Sequence, residues 1–98
     1  MSRRSYVLTK GAVADLRGIS RYTAETWGEV QRRAYVQQLQ EAVSDVAQGR
    51  GVFSDWGAVL PGLRVKAVGS HYIFCLSRPD RPALILAILH GVVSENGK

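Results

Sequence analysis

Two apolar runs dominate the C-terminal third of the chain: Gly69-Ser70-His71-Tyr72-Ile73-Phe74-Cys75-Leu76 and Ala83-Leu84-Ile85-Leu86-Ala87-Ile88-Leu89-His90. Both are short and rich in β-branched and aromatic residues. They are joined by Arg78-Pro79-Asp80-Arg81-Pro82, whose prolines cannot donate to a strand ladder. The pair reads as a β-hairpin. Side chains alternate across a strand, so Leu84, Leu86 and Ile88 are expected on one face and Ile85, Ala87 and Leu89 on the other. Both faces are apolar. Helices of a two-layer domain cover only one of them, so the other needs a second cover, either elsewhere in the chain or on a partner.

The preceding pattern is mostly helical. Ser5-Tyr6-Val7-Leu8-Thr9 is a short β-type run, and from Lys10 to Glu25 the positions Ala12, Leu16, Ile19 and Thr23 form one apolar stripe. Thr26-Trp27-Gly28-Glu29 has the form of a capping box and predicts the start of a second helix. That helix carries Val30, Ala34, Leu39, Ala42, Val43 and Val46, and stops at Gly49-Arg50-Gly51. With almost nothing between them, the helices must fold back as an antiparallel hairpin. Val52 to Gly62 reads as a loop tucked onto the core by Trp56. Leu63-Arg64-Val65-Lys66-Ala67-Val68 alternates apolar with basic, as an edge strand guarded by charge does.

These elements predict an α+β, two-layer β-α-α-β-β-β domain: an antiparallel helical hairpin packed on a four-stranded antiparallel sheet in the order 1-4-3-2, with the first strand antiparallel to the last. One domain over residues 1–98 is expected at this length. The apolar share of 46% and charged share of 21% fit a chain that folds. Cys75 has no disulfide partner, no signal-peptide core follows Met1-Ser2-Arg3-Arg4, and Ala83 to Leu89 is too short to cross a bilayer, so a cytoplasmic protein without a membrane role is expected. A formal charge of +5 suggests an acidic partner, although no run of five basic residues marks a nucleic-acid tail.

Catalytic patterns are sparse. His71 and His90 are the two histidines, and no Cys-x-x-Cys or His-x-x-x-His spacing predicts a metal. Cys75 and His71 are four apart on a strand, about 13 Å, too far for a thiolate–imidazole pair, and Cys75 reads as a buried hydrophobe. The glycines form neither a phosphate loop nor a dinucleotide fingerprint, so no cofactor is expected. One enzymatic reading stays open. Metal-free RNA cleavage needs a base, a cation and an acid, and Tyr72, Arg64 and His90 are the residues to supply them. The competing reading makes Arg64 and Lys66 edge protection, Tyr72 core and His90 a polar strand end.

Five segments together carry a family resemblance. Ala12-x-x-Asp15-Leu16-x-x-Ile19-x-x-Tyr22, Trp27-Gly28 with Ala34-Tyr35-x-x-x-Leu39, Leu60-Pro61-Gly62-Leu63-Arg64, Gly69 to Phe74, and Ile88-Leu89-His90-Gly91 resemble the ParE toxins of the RelE/ParE superfamily. The resemblance spans almost the whole chain. It implies the toxin of a type II toxin-antitoxin system that inhibits DNA gyrase and so blocks replication and growth. Its implied partner is a ParD-like antitoxin, a ribbon-helix-helix protein whose C-terminal segment wraps the toxin, with DNA contacted only through that antitoxin. The RelE branch instead cleaves messenger RNA on the ribosome, using basic sheet residues and often a C-terminal tyrosine. Here Tyr72 stands where that branch commonly has arginine, and Gly91-Val92-Val93-Ser94-Glu95 holds neither arginine nor tyrosine. Many ParE relatives carry Arg-Met-Asp where this chain has Val92-Val93-Ser94. From expected exposure, Leu16, Ile19, Tyr22, Trp27, Tyr35, Tyr72, Phe74 and Ile85 are candidates for antitoxin contact. Arg64, Lys66 and His90 are candidates to face gyrase.

Overall fold

Thr9 ends the first strand and starts the first helix with one hydroxyl. Its Oγ1 accepts the Ala12 amide at 3.0 Å and donates to the Leu86 carbonyl at 3.0 Å, so the helix is capped and tied to the last strand at once. The computed structural model describes residues 6–91, which leaves Ser5 and the Val92-Val93-Ser94 segment outside the described residues. In chain order the elements are β1 (Tyr6–Leu8), α1 (Lys10–Trp27), α2 (Glu29–Gln48), β2 (Ser54–Asp55), β3 (Leu63–Val68), β4 (His71–Leu76) and β5 (Ala83–His90). Two helices pack on one face of a five-stranded sheet of order β1-β5-β4-β3-β2.

Four of these strands stand in the expected order; two features differ. β1 pairs parallel to β5, with Tyr6 opposite Ala83 and Leu8 opposite Ile85. The cause is β2, inside the segment expected to be a loop. It runs antiparallel to β3, pairing Ser54 with Val65 and Asp55 with Arg64. That hairpin adds one reversal of chain direction, which turns the first strand from antiparallel to parallel relative to the last. It also means that β3 is not the edge, and that the charges on Arg64 and Lys66 do not guard one.

The helix junction departs from a capping box. Thr26 lies inside the last turn of α1, Gly28 at φ 95° forms the junction, and α2 has no side-chain cap. Glu29 pairs forward with Arg32 and, at 3.7 Å, with Arg33. The other end of α2 follows expectation, with Gly49 left-handed at φ 73° and the Arg50 amide closing on the Asp45 carbonyl at 2.8 Å.

The core lies between helices and sheet. Leu39, Val46, Ile73, Cys75 and Ile85 are its largest fully buried side chains, joined by Ala12, Ile19, Ala42, Val43 and Ile88. The β5 alternation breaks where Cys75 pairs with Ile85 but Phe74 pairs with Ala87. Leu86 is the extra residue of a bulge, so Ile85 and Ile88, expected on opposite faces, both enter the core. The second face of the sheet is half covered by the chain itself. Leu63 and Val65 are buried there, outside the main core, and Trp56 meets Phe74 edge-on at 6.3 Å between ring centres. Trp56 thus holds its loop to the outer face of the sheet, while Phe53 packs against the core.

Candidate functional site

The helical hairpin outreaches the sheet it packs on. Along α1 the last buried residue is Thr23, and along α2 the first is Leu39, so among the described residues the tip between them is only partly covered, chiefly through Tyr35. Val30 and Ala34, expected to pack, are exposed because they lie on the side of α2 turned away from Leu39, and at the tip Tyr22 and Trp27 are 64% and 69% exposed. Under this overhang, against the ends of β4 and β5, lies a groove of about 750 Å³. Tyr22, Trp27, Tyr35, His71 and His90 are prominent in its wall. Asp15 also lines it, and its Oδ2 accepts the Ile88 amide at 3.0 Å, completing a β5 edge that β1 leaves unpaired beyond Ile85.

At the floor, three side chains meet that sequence spacing leaves far apart. His71 and His90 are directly opposed across β4 and β5, with ring centroids 5.3 Å apart and planes at 77°. The Tyr35 hydroxyl lies 2.7 Å from Nδ1 of His71 and 3.0 Å from the Val68 carbonyl oxygen. A phenol carries one proton, and both contacts are satisfied together only when Tyr35 donates to Val68 and Nδ1–H of His71 donates to Tyr35. This leaves the lone pair on Nε2. Burial, followed by the neighbouring His90, holds the His71 pKa below its ordinary value of 6.5, so the ring is neutral at pH 7. The histidine pair had one sequence signal. Folding the two runs about Asp80 sets position 71 nine residues before the centre and position 90 ten after it, and the Leu86 bulge absorbs the difference.

The residues proposed for RNA cleavage are not brought together. Arg64 is opposite Cys75, four residues along β4 from His71 and so roughly 13 Å of strand away from the histidines. Its Nη1 donates to the Val46 carbonyl at 2.9 Å and its guanidinium lies 5.1 Å from the centre of the Phe53 ring, so it closes the C-terminus of α2. Lys66 Nζ donates to the Val52 carbonyl at 2.9 Å. Tyr72 faces the other side of the sheet, opposite Leu89, with 39% and 49% of their surfaces exposed. Of the candidates for partner contact, Ile19 and Ile85 are core residues and Leu16 packs against that core; Phe74 lies beneath Trp56. Tyr22, Trp27 and Tyr72 are accessible, and Tyr35 forms the groove wall.

Cys75 is fully buried, and burial pushes its thiol pKa up against a smaller lowering by Arg64. The native protein is therefore expected to resist a thiol reagent at pH 8 and to release one equivalent of signal in denaturant. Rapid native reaction would show that the β4 core opens readily.

Comparison with known proteins places this architecture. Residues 6–92 match the family described as the ParE toxin of type II toxin-antitoxin system, parDE. Toxin ParE of Escherichia coli is 46% identical over 86 residues, covering 88% of this chain and 84% of that protein. Toxin ParE1 of Caulobacter vibrioides is 32% identical over 71 residues, 72% of this chain and 74% of that protein. Among solved structures, a chromosomal ParDE TA system from P. aeruginosa superposes with a TM-score of 0.69 at 22% identity, covering 89% of this chain and 95% of that one, a likeness of fold. On the family match and the identity to Toxin ParE, the chain belongs to the ParE toxin family of type II toxin-antitoxin systems.

Proposed function

We propose that the protein is a single-domain toxin that arrests growth by binding DNA gyrase and is neutralised by a ParD-like antitoxin. Family membership carries this reading. The separation of Arg64, Tyr72 and His90 favours it over a RelE-type endoribonuclease, because general acid–base cleavage needs its groups within hydrogen-bond reach of one phosphate. Arg64 is also already engaged with Val46 and Phe53.

The antitoxin's place is the overhang and the uncovered half-sheet. Tyr22, Trp27 and Val30 on the hairpin tip and Tyr72 with Leu89 on the outer face present apolar area that the described residues do not bury. The chain's charge of +5 favours an acidic wrapping segment, and DNA is reached only through that partner. Arg64, Lys66 and His90 remain candidates for gyrase contact, on three successive rungs of the helix-facing side: Arg64 with Cys75, Lys66 with Ile73, and His90 with His71.

Purified protein added to gyrase is expected to block supercoiling and accumulate cleaved DNA, and a purified ParD-like antitoxin is expected to relieve both. Unchanged supercoiling at micromolar protein, together with message cleavage in a translating extract, would replace this function with the endoribonuclease.

A further inference from the structure

We propose that His71 and His90 form a two-histidine site for a divalent transition-metal ion, with Tyr35 as its positioning residue. The spacing of the rings is the first argument. A ring nitrogen lies roughly 1.1 Å from the ring centre and a Zn–N bond is about 2.1 Å, so each centroid would sit about 3.2 Å from a shared ion. At a tetrahedral angle the two centroids are then about 5.2 Å apart. The observed separation is 5.3 Å.

The second argument is preorganisation. Both histidines stand on paired central strands, and the Tyr35 hydroxyl holds His71 through Nδ1, leaving Nε2 as the coordinating atom. A hydrogen bond on the second nitrogen is what orients metal-bound histidines and fixes their tautomer. Tyr35 is itself seated against the turn, where its ring lies over Gly69 and its hydroxyl donates to Val68.

The third argument is charge. In a chain of net charge +5, the described residues that line the groove include no lysine or arginine, and the one carboxylate among them is that of Asp15. None of these side chains carries a fixed positive charge that would repel a cation. Among the described residues no third histidine, cysteine or carboxylate completes a cage around the pair. The ion therefore keeps the remaining positions for water, as open sites do. Local spacing gives no sign of this site, since the ligands are brought together by strand register.

The site does not rest on the toxin reading and is tested on untagged, chelator-stripped full-length protein by calorimetry and by NMR of the histidine rings. With Ni2+ or Zn2+ at pH 7.5, 1:1 binding is expected, both imidazoles shifting together. Affinity should rise from Co2+ to Ni2+ to Cu2+ and weaken at least tenfold at pH 5.5, where protons compete for the nitrogens. His90 is exposed at a strand end, so His90→Ala keeps the fold, which circular dichroism checks, and is expected to weaken binding tenfold or more. Tyr35→Phe should weaken it by roughly tenfold while both histidines still shift. Absence of binding at 1 mM Ni2+, or equal affinity in His90→Ala, would overturn the proposal.

Discussion

Ile85→Ala is expected to lower the free energy of unfolding by roughly 2–5 kcal/mol, read as a reduced denaturant midpoint at unchanged slope. Ile85 has no exposed surface. It lies in the strand that joins the two halves of the sheet, opposite Leu8 on one side and Cys75 on the other. Its carbonyl accepts the Thr9 amide at 3.1 Å, which seats the start of α1. Removing three carbons there leaves a cavity between elements that hold one another in place and cannot all relax into it. Where the variant remains folded, its affinity for an antitoxin should be unchanged. A loss of stability below 1 kcal/mol would move Ile85 out of the core and back among residues available to a partner.

The opposite pattern is expected of Tyr22→Ala combined with Trp27→Ala. Both side chains are mostly exposed on the overhanging tip, so their removal should change stability by about 0.5 kcal/mol or less each. Large aromatic residues on an apolar surface are typical centres of binding energy, and losing two should cost a ParD-like antitoxin at least 2 kcal/mol, roughly 30-fold in dissociation constant. Surface binding experiments with purified antitoxin measure it directly. Equal affinity for the wild type and the double variant would remove the hairpin tip from the antitoxin surface. Together the two sets separate residues that build the fold from residues that the fold displays.

The helices were legible because their pattern is local. Ala12, Leu16, Ile19 and Thr23, and later Leu39, Ala42, Val43 and Val46, repeat at the helical period and pack as that period requires. Val30 and Ala34 do not share that period: nine and five residues before Leu39, they lie on the far side of α2 and are exposed, while Tyr35 and Val36 continue the core-facing stripe and are half-buried. An apolar residue belongs to the core only where it keeps the phase of the stripe. The order of the three long strands was also legible, since β3, β4 and β5 follow one another with short connections.

Strand direction was not, because β2 is two residues long, Ser54 and Asp55, and both are exposed and polar. Nothing in their composition distinguishes them from loop, yet their pairing with β3 decides the sense of β1. The Leu86 bulge is hidden for a similar reason: in a run apolar at nearly every position, no polar residue marks where the phase shifts. The groove shared these limits. Tyr35, His71 and His90 come from three elements: folding the hairpin about Asp80 brings the histidines to within one residue of each other, but the bulge that completes their register and the seating of α2 that brings in Tyr35 leave no mark in the sequence.

The placing of β5 has a consequence for how the protein is made. Of the described strands it is the last to leave the ribosome, yet it lies between β1 and β4, and its Leu86 carbonyl meets a threonine 77 positions earlier. At 5–20 residues per second, synthesis of these 98 residues takes about 5–20 s, and for most of that time β1 has no neighbour and α1 has no floor. A growing chain is therefore not yet a toxin. A frameshift or stop codon anywhere before Ala83 removes the strand on which both ends of the fold depend, so genetic damage to such a gene disarms its product rather than releasing an active fragment.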